Sequence, residues 1–539
     1  MSKIDQIIID YIGSDNFKCK WNPPNLYRDR TAQQYATDLA DFIKKYSFLF
    51  QIRSLDFFVL DVWSKLIPEE WRDPLLSMTD TDAMQFHKGT VVLDTFPQSL
   101  KEFIHQAVSL WMPTGVHRAD ESQWSLHSFS LETLFIGMSE KKIHEIKRMA
   151  EIVHSVAQVL QPTEMLDIGS GEGYLTQVLS HQFKYSISAV DCSHSFIQGA
   201  MKRQSLIEDQ RISKELKEKN IDKTTITNTT TTNNITANQR KELKSNEKKV
   251  LMKELNITSP NMCVATIHPD MKGDDFIDLL NNNNSSKNYE SMMLLGLHTC
   301  GNLPATMIQN FIGCNHIDSI IDVGCCYYKV DGNHVFLSEH CKSLDLVLGP
   351  APLKLSCEAT EKSQADQESF EYSNRVHFYR VILETWLKKQ VFNNRNHDFT
   401  IRNLSKTHCA TFESYAKASI ARINRLQQQQ DSNAVHPDIT LDSLMEFYKE
   451  NNFNTDERQK QVSIFLLLRG LLSPVIESLI VLDRWLYLNQ FSTTCNSFIT
   501  PIFDKNLSPR NFIIISYKYP IVSRKDDKDD SIVNQDIKK

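Results

Sequence analysis

A short apolar run that ends in an acid and opens into three alternating glycines constrains this chain more than any other feature. The residues are Met165-Leu166-Asp167-Ile168-Gly169-Ser170-Gly171-Glu172-Gly173-Tyr174. Glycines this close together let the backbone turn with φ > 0 and approach a ligand with no Cβ in the way. A helical pattern follows from Tyr174 to about His181, so its unpaired N–H groups open toward the loop. Alternation resumes in Tyr185–Val190 and ends on Asp191. Strand, glycine loop, helix, strand and acid come in the order of a nucleotide-binding α/β unit.

The spacing narrows the ligand. Dinucleotide folds want a third glycine three residues after the second, to pack helix on strand beneath a pyrophosphate, and here that place is Tyr174. An Asp two residues before the first glycine and a glycine two after the second suit a cofactor with an amino-acid end. Asp191 lies 22 residues past Gly169, at the end of the second strand, where a carboxylate accepts both hydroxyls of a ribose.

The same pattern extends along the chain. A helix is predicted from Ser139, an N-cap, with Ile143, Ile146, Met149, Val153, Val156 and Leu160 on one face, stopping at Pro162. Three further strands are predicted at Met262–Ile267, Met292–Leu297 and Ser319–Val323. Two late runs, Ser497–Phe503 and Asn511–Tyr517, flank the turn DKNLSPR. Five alternating units and a terminal hairpin make an α/β fold with a seven-stranded sheet.

Residues 1–138 read as a helical N-terminal domain. Ala32, Tyr35, Leu39, Phe42, Ile43 and Tyr46 recur at helical spacing, and a second helix, Leu55–Ile67, stops at Pro68. The sheet domain then falls into the pieces 139–201, 259–358 and 461–523. Between the first two, 202–258 is a low-complexity basic insertion around TTITNTTTTNNITANQ. Its Lys202–Lys253 stretch holds 13 basic and 7 acidic residues, an excess of +6, and is expected to be mobile and outside any core. Asn281–Asn284 and Gln427–Gln430 read as shorter loops of the same kind, 359–460 as a helical and loop insertion, and 524–539 as a disordered tail.

Composition sets limits on partners. The 539 residues carry 60 basic and 66 acidic side chains, so no overall positive field advertises nucleic acid, and any RNA site must be local. The 11 cysteines over this length are no secreted disulfide framework. The apolar stretch Ile464–Leu488 is interrupted by Arg469, Glu477, Asp483 and Arg484, which fits a pair of core helices broken at Pro474 and no membrane partner. Cytoplasm is the default compartment. The pairs Lys202-Arg203 and Lys248-Lys249 are too short to decide nuclear import.

The segments MSEKKIHEI, DIGSGEGYL, GLHTCGNLPATM, DVGCCYYKV and PIFDKNLSPRN resemble the methyltransferase-like protein 25 family, whose relatives include rRNA adenine dimethylase domain-containing proteins. DIGSGEG also looks like the first motif of class I methyltransferases. The resemblance runs from about Met138 to Tyr517. It implies S-adenosyl-L-methionine as cofactor, with Asp167, Gly169, Ser170, Gly171 and Gly173 lining its methionine and adenosine pocket and Asp191 holding the ribose. His298-Thr299-Cys300-Gly301 is similar to the KHLCG segment of certain tRNA ribose methyltransferases, but Leu297 stands where they have Lys.

His298 and Cys300 fall past the fourth strand and Cys325 and Cys326 past the fifth, so a parallel sheet sends all four to one crevice. His298 is expected to accept a proton or position the acceptor, and Cys300 is the second candidate catalytic residue. For the cysteines, small thiols packing the sheet end compete with a covalent role for Cys300 and with zinc. No metal site is expected, because adjacent cysteines rarely reach one ion and no C-x-x-C is present. Lys141, Lys142, His144 and Glu145 read as a solvated helix face, and Arg510 as an exposed turn residue. The expectation is an S-adenosylmethionine-dependent methyltransferase with RNA as acceptor. A protein or small-molecule methyltransferase, and a non-catalytic cofactor-binding module, stay open beside it.

Overall fold

The computed structural model describes residues 3–12, 18–115, 132–220, 237–268, 271, 275, 278, 289–358, 367–392, 404–429 and 439–519. Seven strands form one sheet: β1 (Glu164–Ile168), β2 (Ile187–Asp191), β3 (Asn261–Val264), β4 (Met292–Cys300), β5 (Ile317–Cys326), β6 (Cys495–Pro501) and β7 (Phe512–Lys518). Their order is β3-β2-β1-β4-β5-β7-β6. β1 to β5 run parallel, and β7 joins β5 antiparallel with β6 outside it. This is the class I methyltransferase fold, as the sequence pattern predicts.

Successive residues of a strand point to opposite faces, and both faces here are covered, which explains the nearly continuous apolar runs. Leu166, Leu294, Ile320, Ile499 and Ile514 enter one core; their neighbours Met165, Met293, Ile321, Phe498 and Ile513 enter the other. The second core is closed by the helices Glu140–Leu160 and Tyr174–Phe183. The first is closed by Leu303–Gly313 and by a mass of helices drawn from both ends of the chain.

That mass centres on one helix, Asp456–Asn489, which is continuous where the sequence pattern predicted a break at Pro474. Ser478 Oγ donates to Pro474 O at 2.6 Å, and the helix runs on through the missing N–H while buried among its neighbours. By length and composition it could cross a membrane, yet most of its apolar stretch is buried inside the protein. Its charges are all engaged there. Arg469 donates to the carbonyls of Leu49 and Ile52, Glu477 pairs with Arg510 at 2.7 Å, and Asp483 accepts from the N–H groups of Leu337 and Ser338. Arg510 is therefore buried, contrary to the exposed turn residue expected.

The N-terminal helices share this core. The helix Ala32–Lys45, opened by a Thr31–Gln34 capping box, packs on Asp456–Asn489. Trp111 Nε1 donates to Leu471 O and Met112 N to Ser478 Oγ. The helix expected over Leu55–Ile67 is interrupted, with Asp61 in the left-handed region at φ 52°.

The basic insertion also departs from expectation. Its flanks are the helices His194–Glu218 and Ala237–Glu254, and Ile212, Leu251, Leu255 and Ile257 form a small core between them. Lys248 bridges Glu208 and Asp209, both at 2.9 Å. Average composition hid the few apolar residues spaced to meet. Gln427–Gln429 likewise continue the helix Phe412–Gln429. Residues 221–236, Asn281–Asn284 and the tail 524–539 lie outside the described residues.

Candidate active site

Strand order reverses direction between β1 and β4, so ligands belong in the crevice beyond the carboxyl ends of these two strands. On the β1 side lies the glycine loop. Gly169, Gly171 and Gly173 all hold positive φ, at 68°, 56° and 67°. Their surroundings differ. A Cβ at Gly173 would meet Ala200 and Met262, both at 3.3 Å, so this glycine serves the packing of the loop on its neighbours. A Cβ at Gly171 would meet nothing within 4 Å, so this is where the backbone faces open space.

Asp191 closes the edge of that space. Its Oδ2 accepts from Gly171 N at 2.9 Å and its Oδ1 from Ser193 N at 2.8 Å, which ties the ends of β1 and β2 together and fixes the carboxylate. Exposed apolar side chains flank it: Phe196 on the next helix, and Val264, the register partner of Asp191 on β3. Neither was singled out in the sequence, because a lone exposed apolar residue carries no pattern. Ser170 Oγ is buried without a hydrogen-bond partner.

Asp167 takes a different place from the ligand-facing one expected. It is buried beneath the loop and accepts from Thr176 Oγ1 on the following helix. Burial, only partly offset by that hydrogen bond, pushes its carboxyl up to about 6. It braces the turn from below.

Across the crevice, β4 ends irregularly. Register shifts against β5 fall on both sides of Thr299, and His298 adopts φ 64°, a conformation that side chains with a Cβ rarely take. Thr299 Oγ1 pins the turn by donating to the buried Asp322 at 2.7 Å. Burial pushes the Asp322 carboxyl up to about 7.

The turn aims His298 at Glu145, with Nε2 2.7 Å from Oε1. Glu145 belongs to the helix face expected to be solvated, yet its side chain is fully buried. It also accepts from Ser508 Oγ at 2.7 Å and lies 3.0 Å from Lys142 Nζ. Burial raises its carboxyl, but His298, Lys142 and Ser508 outweigh that and hold it near about 2. His144 completes the wall, accepting from Asp504 N at 3.0 Å. The segments MSEKKIHEI, GLHTCGNLPATM and PIFDKNLSPRN thus converge here. Glu145 is the site residue that the sequence reading missed, since a Glu in the first turns of a helix usually faces water.

The cysteines converge as well. Cys300 Sγ lies 3.3 Å from Cys325 Sγ, which lies 3.4 Å from Cys326 Sγ, and all three sulfurs fall within 4.8 Å of one another. Adjacent strand residues should point apart, but Cys326 leaves the extended conformation at φ −95°, ψ 67° as the strand ends. Cys300 and Cys325 each lie 3.4 Å from His298 O. The Cys300 thiol is favoured as an anion by Cys325, but Cys326 and burial outweigh this and raise it, which disfavours a covalent role. Hydrogen bonds from Cys300 and Cys325 pull the Cys326 thiol down.

Residues 141–333 match a family described as a methyltransferase domain. The probable methyltransferase-like protein 25 of Mus musculus is 21% identical over 471 residues, covering 71% of this chain and 75% of the relative. That of Homo sapiens is 22% identical over 483 residues, with the same coverage. With the strand order, the glycine loop at its switch point and these relatives taken together, the chain carries a methyltransferase domain of the class I fold and is similar along most of its length to probable methyltransferase-like protein 25.

Proposed function

We propose that this protein transfers a methyl group from S-adenosyl-L-methionine to RNA, with His298 as the proton acceptor. The observation that carries the reading is the pairing, across one crevice, of an open glycine turn edged by Asp191 with the His298–Glu145 pair. The cradle suits the cofactor. Gly171 offers bare backbone to open space, Ser170 Oγ lacks a partner, and Asp191 keeps free lone pairs for ribose hydroxyls beside the apolar side chains of Phe196 and Val264, which suit a purine.

When bound, the sulfonium supplies a methyl group already activated for in-line displacement. The chain's own work is then to position the acceptor and remove its proton. Glu145, held ionised, accepts from Nε2–H of His298, which leaves Nδ1 with the lone pair that takes a proton. The carboxylate then stabilises the imidazolium that forms, and the left-handed turn at His298 keeps the ring aimed.

Tyr328 and Lys329 favour RNA over a protein acceptor. They follow β5 directly, and Tyr328 is 47% exposed at the rim with the Lys329 ammonium 5.7 Å from its ring centroid. An exposed ring beside a cation stacks a base and meets a phosphate. The test is transfer of labelled methyl from the cofactor to fractionated cellular RNA and protein. Label in RNA that falls with Tyr328→Ala supports the reading, while label confined to protein or small molecules replaces the acceptor. Cofactor binding without any transfer leaves a binding module.

A further inference from the structure

We propose that Cys300, Cys325 and Cys326 form a metal site that takes one zinc ion through three sulfur ligands at the ends of β4 and β5. The sulfurs stand 3.3 Å and 3.4 Å apart in sequence of contact, none further than 4.8 Å from another. Tetrahedral zinc, with bonds of about 2.3 Å, separates its sulfurs by about 3.8 Å, so side-chain adjustments of roughly half an ångström seat the ion. An all-sulfur set selects zinc over magnesium, calcium or manganese.

The backbone beneath is built to hold the three together. A Cβ at Gly301, which sits at φ 63°, would lie 3.1 Å from Lys329 O, so only glycine lets the loops after β4 and β5 close on each other. Asp331 N donates to Asn302 Oδ1 at 3.0 Å and locks the same two loops. Cys300 and Cys326 are part-exposed on either side of the buried Cys325 thiol, so the cluster opens to solvent, whereas Cys263, Cys314, Cys341, Cys409 and Cys495 are buried as ordinary core residues. Simple packing accounts for those five and leaves this cluster unexplained.

Loading exchanges thiol protons for metal–sulfur bonds, so each sulfur still protonated releases one proton to solvent and affinity rises with pH. Zinc with three thiolates carries a net single negative charge, which the neighbouring Lys329 ammonium offsets. Three protein ligands leave a fourth position to water or an incoming group. The site does not depend on the methyl-transfer reading, because its test reads metal and not activity.

Full-length protein is stripped with chelator, then titrated with zinc alone against a chromogenic competitor, and in parallel with cobalt, whose thiolate charge-transfer absorption counts sulfur ligands. One ion per chain is expected, with a thiolate–cobalt band that is lost in Cys300→Ser/Cys326→Ser and kept in Cys19→Ser. Mass-spectrometric alkylation of the unmutated protein gives a readout free of folding effects: zinc should shield Cys300, Cys325 and Cys326 together while Cys192 stays reactive. Stoichiometric binding that survives the double variant, equal alkylation with and without zinc, or no binding to the stripped protein overturns the proposal.

Discussion

The two halves of the crevice are built in contrasting ways. The half proposed for the cofactor is local: Asp167, the glycine loop, Thr176 and Asp191 lie within one strand-helix-strand unit, and the bonds that Asp191 accepts from Gly171 and Ser193 span 20 and 2 residues. The half proposed for the acceptor is assembled from afar. Glu145 meets Ser508 across 363 positions, and His298 reaches back to the helix before β1. A local unit forms its site as it forms its fold, whereas the distant one exists only once the sheet and both helical layers have closed. Binding and chemistry should therefore separate under mutation.

The largest separation is expected at His298. His298→Ala should lower methyl transfer by about 10²- to 10⁴-fold while cofactor affinity stays within a few-fold, read by single-turnover kinetics and calorimetry. Glu145→Gln should move in the same direction by less, since the ring keeps its neighbour and loses the charge that stabilises its protonated form. Equal losses in binding and rate for His298→Ala would merge the two halves.

The converse variants lie on the other side. Asp191→Ala removes charge-assisted bonds worth roughly 1.5–3 kcal/mol, about ten- to a hundred-fold in cofactor affinity, although part of the loss comes from releasing Gly171 N. Gly171→Asp sets a second carboxylate beside Asp191 in the space left open, and forces a residue with a Cβ into φ 56°. Calorimetry that finds unchanged affinity in both would reduce the glycine loop to a structural turn.

A smaller effect tests the insertion. Ile212→Ala should lower stability by about 2 kcal/mol in thermal or urea unfolding without altering cofactor affinity, because Ile212 fills a satellite core with Leu251 and Leu255. Loss of cofactor binding without loss of stability would tie these helices to the site.

The last is a slope with pH. Folding raises the Asp322 carboxyl from 3.8 to about 7, so the native protein keeps a proton that the unfolded chain gives up. This contribution is present at low pH and is lost as pH rises from about 4 to about 7. Asp167 adds a slope of the same sign up to about 6. Glu145 works the other way: its folded value near about 2 against 4.5 gives stability that holds above 4.5 and is lost as the pH falls through 2. Urea unfolding across this range should show a shallower decline in Asp322→Asn, and an unchanged slope would place the proton elsewhere.

What could be read from residues alone follows the same division. The seven strands were legible because a sheet buried on both faces demands apolar runs, and the glycine loop because a turn at positive φ demands glycine. The basic insertion was misread because helix pairing there rests on a few residues, Ile212, Leu251 and Leu255, lost in a polar average. Pro474 was misread because burial overrides a local propensity.

By itself, then, the sequence determined the strand order's raw material, the glycine loop and the carboxylate at the second strand's end, since each is fixed by neighbours within a few residues. Only tertiary structure decided that Glu145 is buried against His298, that Arg510 answers Glu477, and that three cysteines meet. Those contacts depend on where a helix face lands and on how β4 and β5 end: a left-handed residue at His298 and an abandoned extended conformation at Cys326 turn side chains that alternation would have sent apart. Pattern rules describe the regular part of a strand, and this site is made where the strands cease to be regular.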